Sequence, residues 1–194
     1  MRVMLGAALV VLATSLTLAD RPKISAHASE HFSFAGPFTY AWTTPTGELK
    51  MLQAAEKDPD RWRRMWDATI VSSVDRELGA RQFTAAASES ADIIATYYIL
   101  IGPNIASQKM GQFVAPTMEW GLPPFQGVAQ SYDVAEQGSL VIDLYSQERK
   151  LVVWRGVAQA NIDLRRSDAE RNRNISKLIT EVFKKYPTKP VKRK

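Results

Sequence analysis

The sequence has no cysteine. That excludes disulfides, thiolate metal sites and a cysteine nucleophile together. It also excludes the lipid-modified cysteine that anchors a bacterial lipoprotein. Histidine is nearly as scarce, with His27 and His31 the only two. A serine triad needs a base oriented by a carboxylate, and no G-x-S-x-G stretch supplies a nucleophile for either histidine. No glycine-rich phosphate loop is present, and no internal repeat is visible.

What is there has the composition of a globular protein. The 194 residues are 45% hydrophobic and 23% charged, enough for one domain with its own core and unlike a disordered chain. The first residues stand apart. MRVMLGAALVVLATSLTLAD carries one basic residue, Arg2, then an apolar run from Val3 to Leu12. That run is too short for a bilayer span, and Thr17-Leu18-Ala19 has the small residues of a cleavage site. Residues 1–19 therefore read as a signal peptide, with an uncleaved anchor as the alternative. The formal net charge of +5 sits largely in the tail KKYPTKPVKRK. Pro187 and Pro190 forbid helix there, so 188–194 read as a solvated, disordered terminus. Its functional alternative is weak contact with an anionic membrane or polysaccharide. Export argues against nucleic acid as a partner.

From 20 to 187 the pattern is that of one domain. RPKISAH (Arg21–His27) predicts a short strand. Phe38, Tyr40 and Trp42 alternate with Thr39 and Ala41, which predicts a second one ended by TTPTG. Asp58 and Pro59 then open a helix as N-cap and first turn. Trp62, Met65, Trp66, Ile70, Val74 and Leu78 form its apolar face, with Gly79 past its end. Arg63, Arg64, Asp67, Asp75 and Arg76 fall mainly on its other faces. Gln82–Ala85 is a weak strand, and DIIATYYILI (Asp92–Ile101) reads as a central one because both its faces are apolar. GSLVIDLYSQERKLVVWRGVAQA (Gly138–Ala160) is a hairpin, with strands Leu140–Tyr145 and Leu151–Ala160 about the polar turn SQERK. Trp154 covers apolar area and Gly156 marks a bulge or a close approach. Ser167 and Glu170 form a capping box for a last helix. Its stripe is Ile175, Leu178, Ile179, Val182, Phe183 and Tyr186.

Few residues carry candidate chemistry. HASEH sets His27 and His31 four apart, which on a helix would offer two metal ligands, but the segment reads as strand or loop. Asp92 and Asp143 are the candidate carboxylates for acid–base work; the plainer reading gives Asp92 a strand start and Asp143 a polar sheet face. DRWRRMW interleaves arginine and tryptophan, yet its tryptophans share the helix's core stripe. The long loop at 102–137 holds four prolines, four glycines and the aromatics Phe113, Trp120, Phe125 and Tyr132. Loops of that length are uncommon in compact domains and often functional. Those four aromatics are the candidate partner surface, against the plainer reading that the loop folds back on the core edge.

Several of these stretches resemble one family. FTYAW, LGARQF, SADIIATYYI, GSLVID, LVVWRG and the closing Tyr186-Pro187 are similar to the bacterial envelope family called domain of unknown function 4136. The resemblance implies a secreted α+β domain, often lipid-anchored. This chain departs there, having no cysteine to lipidate. The family brings no established activity, cofactor or catalytic residue.

The expected fold is a two-layer α+β domain, a mostly antiparallel sheet with two long helices packed on one face. The expected role is a non-catalytic periplasmic binding or assembly module that meets an envelope protein or ligand through the aromatic loop or the open sheet face. The alternatives are a hydrolase or lyase using Asp92 or Asp143, and a structural envelope protein with peripheral membrane contact. No metal or other cofactor is called for.

Overall fold

A computed structural model describes residues 22–51, 59–101, 138–160 and 167–187. The expected signal peptide at 1–19, Asp58, the expected loop at 102–137 and the expected tail at 188–194 lie outside them. Among the described residues six strands form one sheet: β1 (Lys23–Ala28), β2 (Phe38–Met51), β3 (Phe83–Ala85), β4 (Ile93–Ile101), β5 (Ser139–Ser146) and β6 (Leu151–Gln159). Their spatial order is β1-β6-β5-β4-β2-β3. Among the described residues two helices, α1 (Pro59–Gly79) and α2 (Asp168–Phe183), pack with the sheet in the expected α+β domain.

The sheet is mixed. β1–β6, β6–β5 and β5–β4 are antiparallel, whereas β4–β2 and β2–β3 are parallel. The parallel pair follows from chain order. α1 lies between β2 and β4, and a helical crossover returns the chain in the same direction. β2 also runs on past its expected end at Trp42. Its register against β4 shifts between Trp42 and Gly47 and then resumes to Met51. Pro45 lies in that interval; with no N–H to give the ladder, it suits an irregularity.

Strand alternation sorts the side chains. Trp42, Ala95, Leu144, Trp154 and Ala28 stand in register across five strands, followed by Gly47, Tyr97, Ile142, Gly156 and Ala26. Both rows face the helices. A Cβ on Gly156 would lie 2.3 Å from the Val182 side chain and 2.5 Å from the Trp154 ring. Glycine there lets α2 seat on the sheet with Trp154 beneath it. The Tyr97 ring uses the space over Gly47 in the same way. The last helix is built as its pattern predicts: the Ser167–Glu170 capping box is present, and Ile179, Val182 and Phe183 are fully buried. On α1, Trp66, Ile70, Val74 and Leu78 are buried, as their core reading requires; the Trp62 side chain lies outside the described set. Gly79 is the last helical residue, and the left-handed residue that follows is Gln82, at φ 66°.

The helices are tied together as well as packed. Ser73 and Ser176 share a hydrogen bond of 2.9 Å, and Thr180 donates to Glu77 at 2.8 Å. Arg81, just past α1, donates to the Phe183 carbonyl at 2.7 Å and to Glu77 at 2.9 Å. Its guanidinium also lies over the Phe183 and Tyr186 rings.

Two glycines should respond oppositely to substitution. Gly156→Val forces Cβ into Trp154 and Val182 and is expected to cost about 3 kcal/mol. Gly79→Ala meets nothing within 4 Å and is expected to stabilise by about 0.5 kcal/mol. Urea denaturation midpoints check both.

Candidate functional site

On the sheet face turned away from the helices, four polar residues stand in one row across four strands: Thr96, Asp143, Arg155 and His27. At its centre Arg155 Nε donates to Asp143 Oδ1 at 2.6 Å and Nη2 to Oδ2 at 2.5 Å. This is a two-pronged ion pair, and its members are 0% and 1% exposed. Burial pushes the Asp143 carboxyl up, against the pull of the Arg155 guanidinium. Tyr98, one row along, is pushed up to about 12 by its own burial and then by the Asp143 charge. Burial, and after it Arg155, holds the His27 imidazole below its usual value. Val141 and Val157 beside the pair, and Leu100 further along the same face, are also buried.

The register that makes the pair comes from a bulge. Ser146 faces Leu151 and Tyr145 faces Val152, but Leu144 faces Trp154 and Asp143 faces Arg155. Val153 is the extra residue. Were Val153 paired in an unbulged ladder, Asp143 would meet Trp154, and the guanidinium would stand one position off.

Asp92 plays a different part. It is exposed and accepts from the Thr39 backbone N–H at 2.8 Å and from the Thr39 hydroxyl at 2.7 Å. Those bonds hold its carboxyl below the usual range. It pins the start of β4 to β2. Asp143 sits opposite Thr96, four residues further along β4, so the two carboxylates are roughly 13 Å apart along the strand. The structure does not bring them together as an acid–base pair.

Two other carboxylates do more than the sequence indicates. Asp75 accepts from the Tyr40 hydroxyl at 2.8 Å and from Trp42 Nε1 at 2.9 Å. Asp67 accepts from the Tyr97 hydroxyl at 2.7 Å and from the Thr46 hydroxyl. Burial first, and then these carboxylates, pushes the Tyr40 and Tyr97 phenols up. Both aspartates flank the apolar stripe of α1, where charge reads as solvent-facing. The signal that could have found them is the strand: a buried tyrosine or tryptophan needs an acceptor for its polar end.

The remaining candidates are quickly placed. His27 lies in β1 and His31 in the turn beyond it, so neither sits on the helix that their spacing would need. Among the described residues no three His, Asp or Glu side chains gather as a metal site. An open groove of about 220 Å³ is lined by Arg76, Ser176, Lys177, Thr180 and Glu181, smaller than common ligand pockets. Phe113, Trp120, Phe125 and Tyr132 lie outside the described residues.

Removing one member of the buried pair should be costly. Asp143→Ala or Arg155→Ala is expected to destabilise by about 3–5 kcal/mol, and Asp143→Leu with Arg155→Met to recover most of that; a double-mutant cycle in urea checks this. Asp92→Ala should cost about 1 kcal/mol at neutral pH, a value discounted for exposure. Because the folded carboxyl is depressed, its contribution is complete above the ordinary aspartate value and fades as pH falls through the folded one. Variant and parent should therefore converge in the same denaturation assay as pH falls below the ordinary aspartate range.

The comparisons with known proteins follow the fold. No curated protein matches the sequence. Among solved structures, the fold is similar to a DUF4136 family protein from Bacteroides thetaiotaomicron, with TM-score 0.55 and 11% identity over 87% of this chain and 97% of that one. A PelC dodecamer subunit from Paraburkholderia phytofirmans aligns at TM-score 0.41 and 9% identity, over 84% and 94% of the two chains. A PDZ domain protein from Parabacteroides distasonis aligns at 0.47 and 11%, over 87% of this chain and 37% of that one. The family model for DUF4136 matches residues 25–188. The motifs that carry the resemblance are the residues just described: Tyr40 and Trp42 on Asp75, Asp92 on Thr39, Asp143 on Arg155, and Trp154 beneath Gly156. The chain belongs to the DUF4136 family, a domain of unknown function.

Proposed function

We propose that the protein is a non-catalytic binding or assembly module of the bacterial cell envelope. In this reading the segment 1–19 directs export, and the mature chain is retained in the periplasm without a lipid anchor. One observation supports a non-catalytic role above the others. Asp92 and Asp143 are both committed to structural partners and stand far apart. A hydrolase or lyase built on them has no pair of groups to work with.

The polar groups of the family motifs are engaged with other residues of the fold, so in this reading recognition falls to residues outside those motifs. The stretch at 102–137 concentrates aromatics, and exposed aromatics anchor interfaces. We place the partner contact at Phe113, Trp120, Phe125 and Tyr132. The basic residues at 188–194 add a weak, salt-sensitive attraction to an anionic membrane or polysaccharide.

Chemical crosslinking in intact cells tests this. The full-length chain is expected to capture a defined envelope protein from the periplasmic fraction. Serine at all four aromatic positions should abolish the capture with the far-UV circular dichroism unchanged. Equal capture by the folded quadruple variant, or recovery of the chain in the cytoplasm, would overturn the proposal.

A further inference from the structure

The sheet is buried on both faces. Side chains of one parity, Tyr97, Ile99, Ile142, Trp154 and Ala158, join the core beneath the helices. Their neighbours along each strand point the other way. Tyr98, Leu100, Val141 and Val157 are buried too, yet stand apart from that core. The Asp143–Arg155 pair lies among them. Among the described residues no helix lies on this side. Phe183 packs on Trp154, Val182 fits over Gly156, and Asp67 and Asp75 reach Tyr97 and Tyr40, all on the helix side.

The burial has a shape. It covers β4, β5 and β6 and is lost at both margins, where Lys23 and Ser25 of β1 and Glu48 of β2 are exposed. Along the strands it runs from Leu100, opposite Ser139, to Thr96, opposite Asp143, roughly 13 Å. Apolar side chains leave water only when other atoms pack on them. One chain by itself buries this strip, so the cover belongs to the chain and not to a partner or a second copy.

Length and connection select the segment. Residues 52–58 and 161–166 are short and lead from strands to helices on the other face. Residues 188–194 are mostly cationic. A chain arriving at Lys23 would first cross the exposed margin of β1. Residues 102–137 differ in each respect. They join β4 to its antiparallel neighbour β5, a connection that a turn of about two to five residues can make. They leave and return at the Leu100–Ser139 end of the buried strip. They also hold the aliphatic residues such a cover needs, among them Ile105, Val114, Leu122 and Val128.

We propose that residues 102–137 pack across the sheet face opposite the helices, forming a second core over β4, β5 and β6 that seals the Asp143–Arg155 pair from water. The aliphatic residues supply its inner surface. Phe113, Trp120, Phe125 and Tyr132 are left to the partner contact, but the proposal stands on the burial of the strip and not on that contact.

Methyl NOESY spectra of the full-length chain test this. Val141 and Val157 methyls are expected to give cross-peaks to aliphatic side chains between 102 and 137. An isotope-filtered spectrum of mixed labelled and unlabelled chains should lack them. Absence of those cross-peaks, cross-peaks to residues 1–19 in their place, or their appearance in the filtered spectrum would each overturn the proposal. Thiol labelling gives a second readout, clean because the chain has no cysteine of its own. The Val157→Cys thiol is expected to react with a maleimide at least about a hundredfold more slowly than the Ser25→Cys thiol on the exposed margin of the same face. Equal rates in two folded variants would leave the strip without its cover and overturn the proposal.

Discussion

A carboxylate cut off from water has to be met by a cation or give up its charge, and at the middle of this sheet Asp143 is met by Arg155. Much of the architecture is keyed to that meeting. Geometry this tight allows one hairpin register, and the extra residue at Val153 supplies it. The same register puts Trp154 and Gly156 on the opposite face, where the ring lies under α2 and the missing side chain lets Val182 in. One ion pair on one face and one helix seat on the other are thus consequences of a single alignment. A buried pair of this kind contributes little net stability compared with apolar residues of similar volume. What it does here is make slipped alignments expensive, since each would strand both charges.

The other polar anchors work on the same logic. Asp75 and Asp67 of α1 collect hydroxyl and indole donors from β2 and β4. Asp92 joins the start of β4 to Thr39 of β2. Each joins two elements that are distant in sequence, and each leaves a family-like motif with a mechanical explanation. In this chain the signature residues take part in assembling the domain. That is why the proposed partner contact is sought among residues the signature does not include.

Local patterns were legible in the sequence because their causes are local. The capping box, the stripe of α2, the buried face of α1 and the turn of the hairpin each depend on residues a few positions apart. The failures share a different cause. Thr-Pro-Thr-Gly has turn chemistry, and only the neighbouring strand β4 shows that the chain carries β2 through it. The parallel pairing of β2 and β4 was encoded in the strand–helix–strand order, but apolar alternation does not report direction. The pairing of Asp143 with Arg155 was not legible, because it depends on where the hairpin ladder starts and on a bulge, and a bulge leaves no signature in composition. Asp67 and Asp75 looked solvated because helix periodicity sees the stripe and not the donors that reach to its margin.

The placement of β1 has a consequence for how the molecule comes into being. Its partner strand is β6, so residues 23–28 wait for residues 154–159, and α1 likewise packs against a helix that begins at Asp168. A chain delivered N-terminus first, from a ribosome or through a narrow channel, cannot close its edge or its helical layer until nearly all of it has emerged. Contacts of such long range fold slowly for their size. The nascent chain spends its transit with an unpaired strand near its leading end, and the fold is sealed by its last helix.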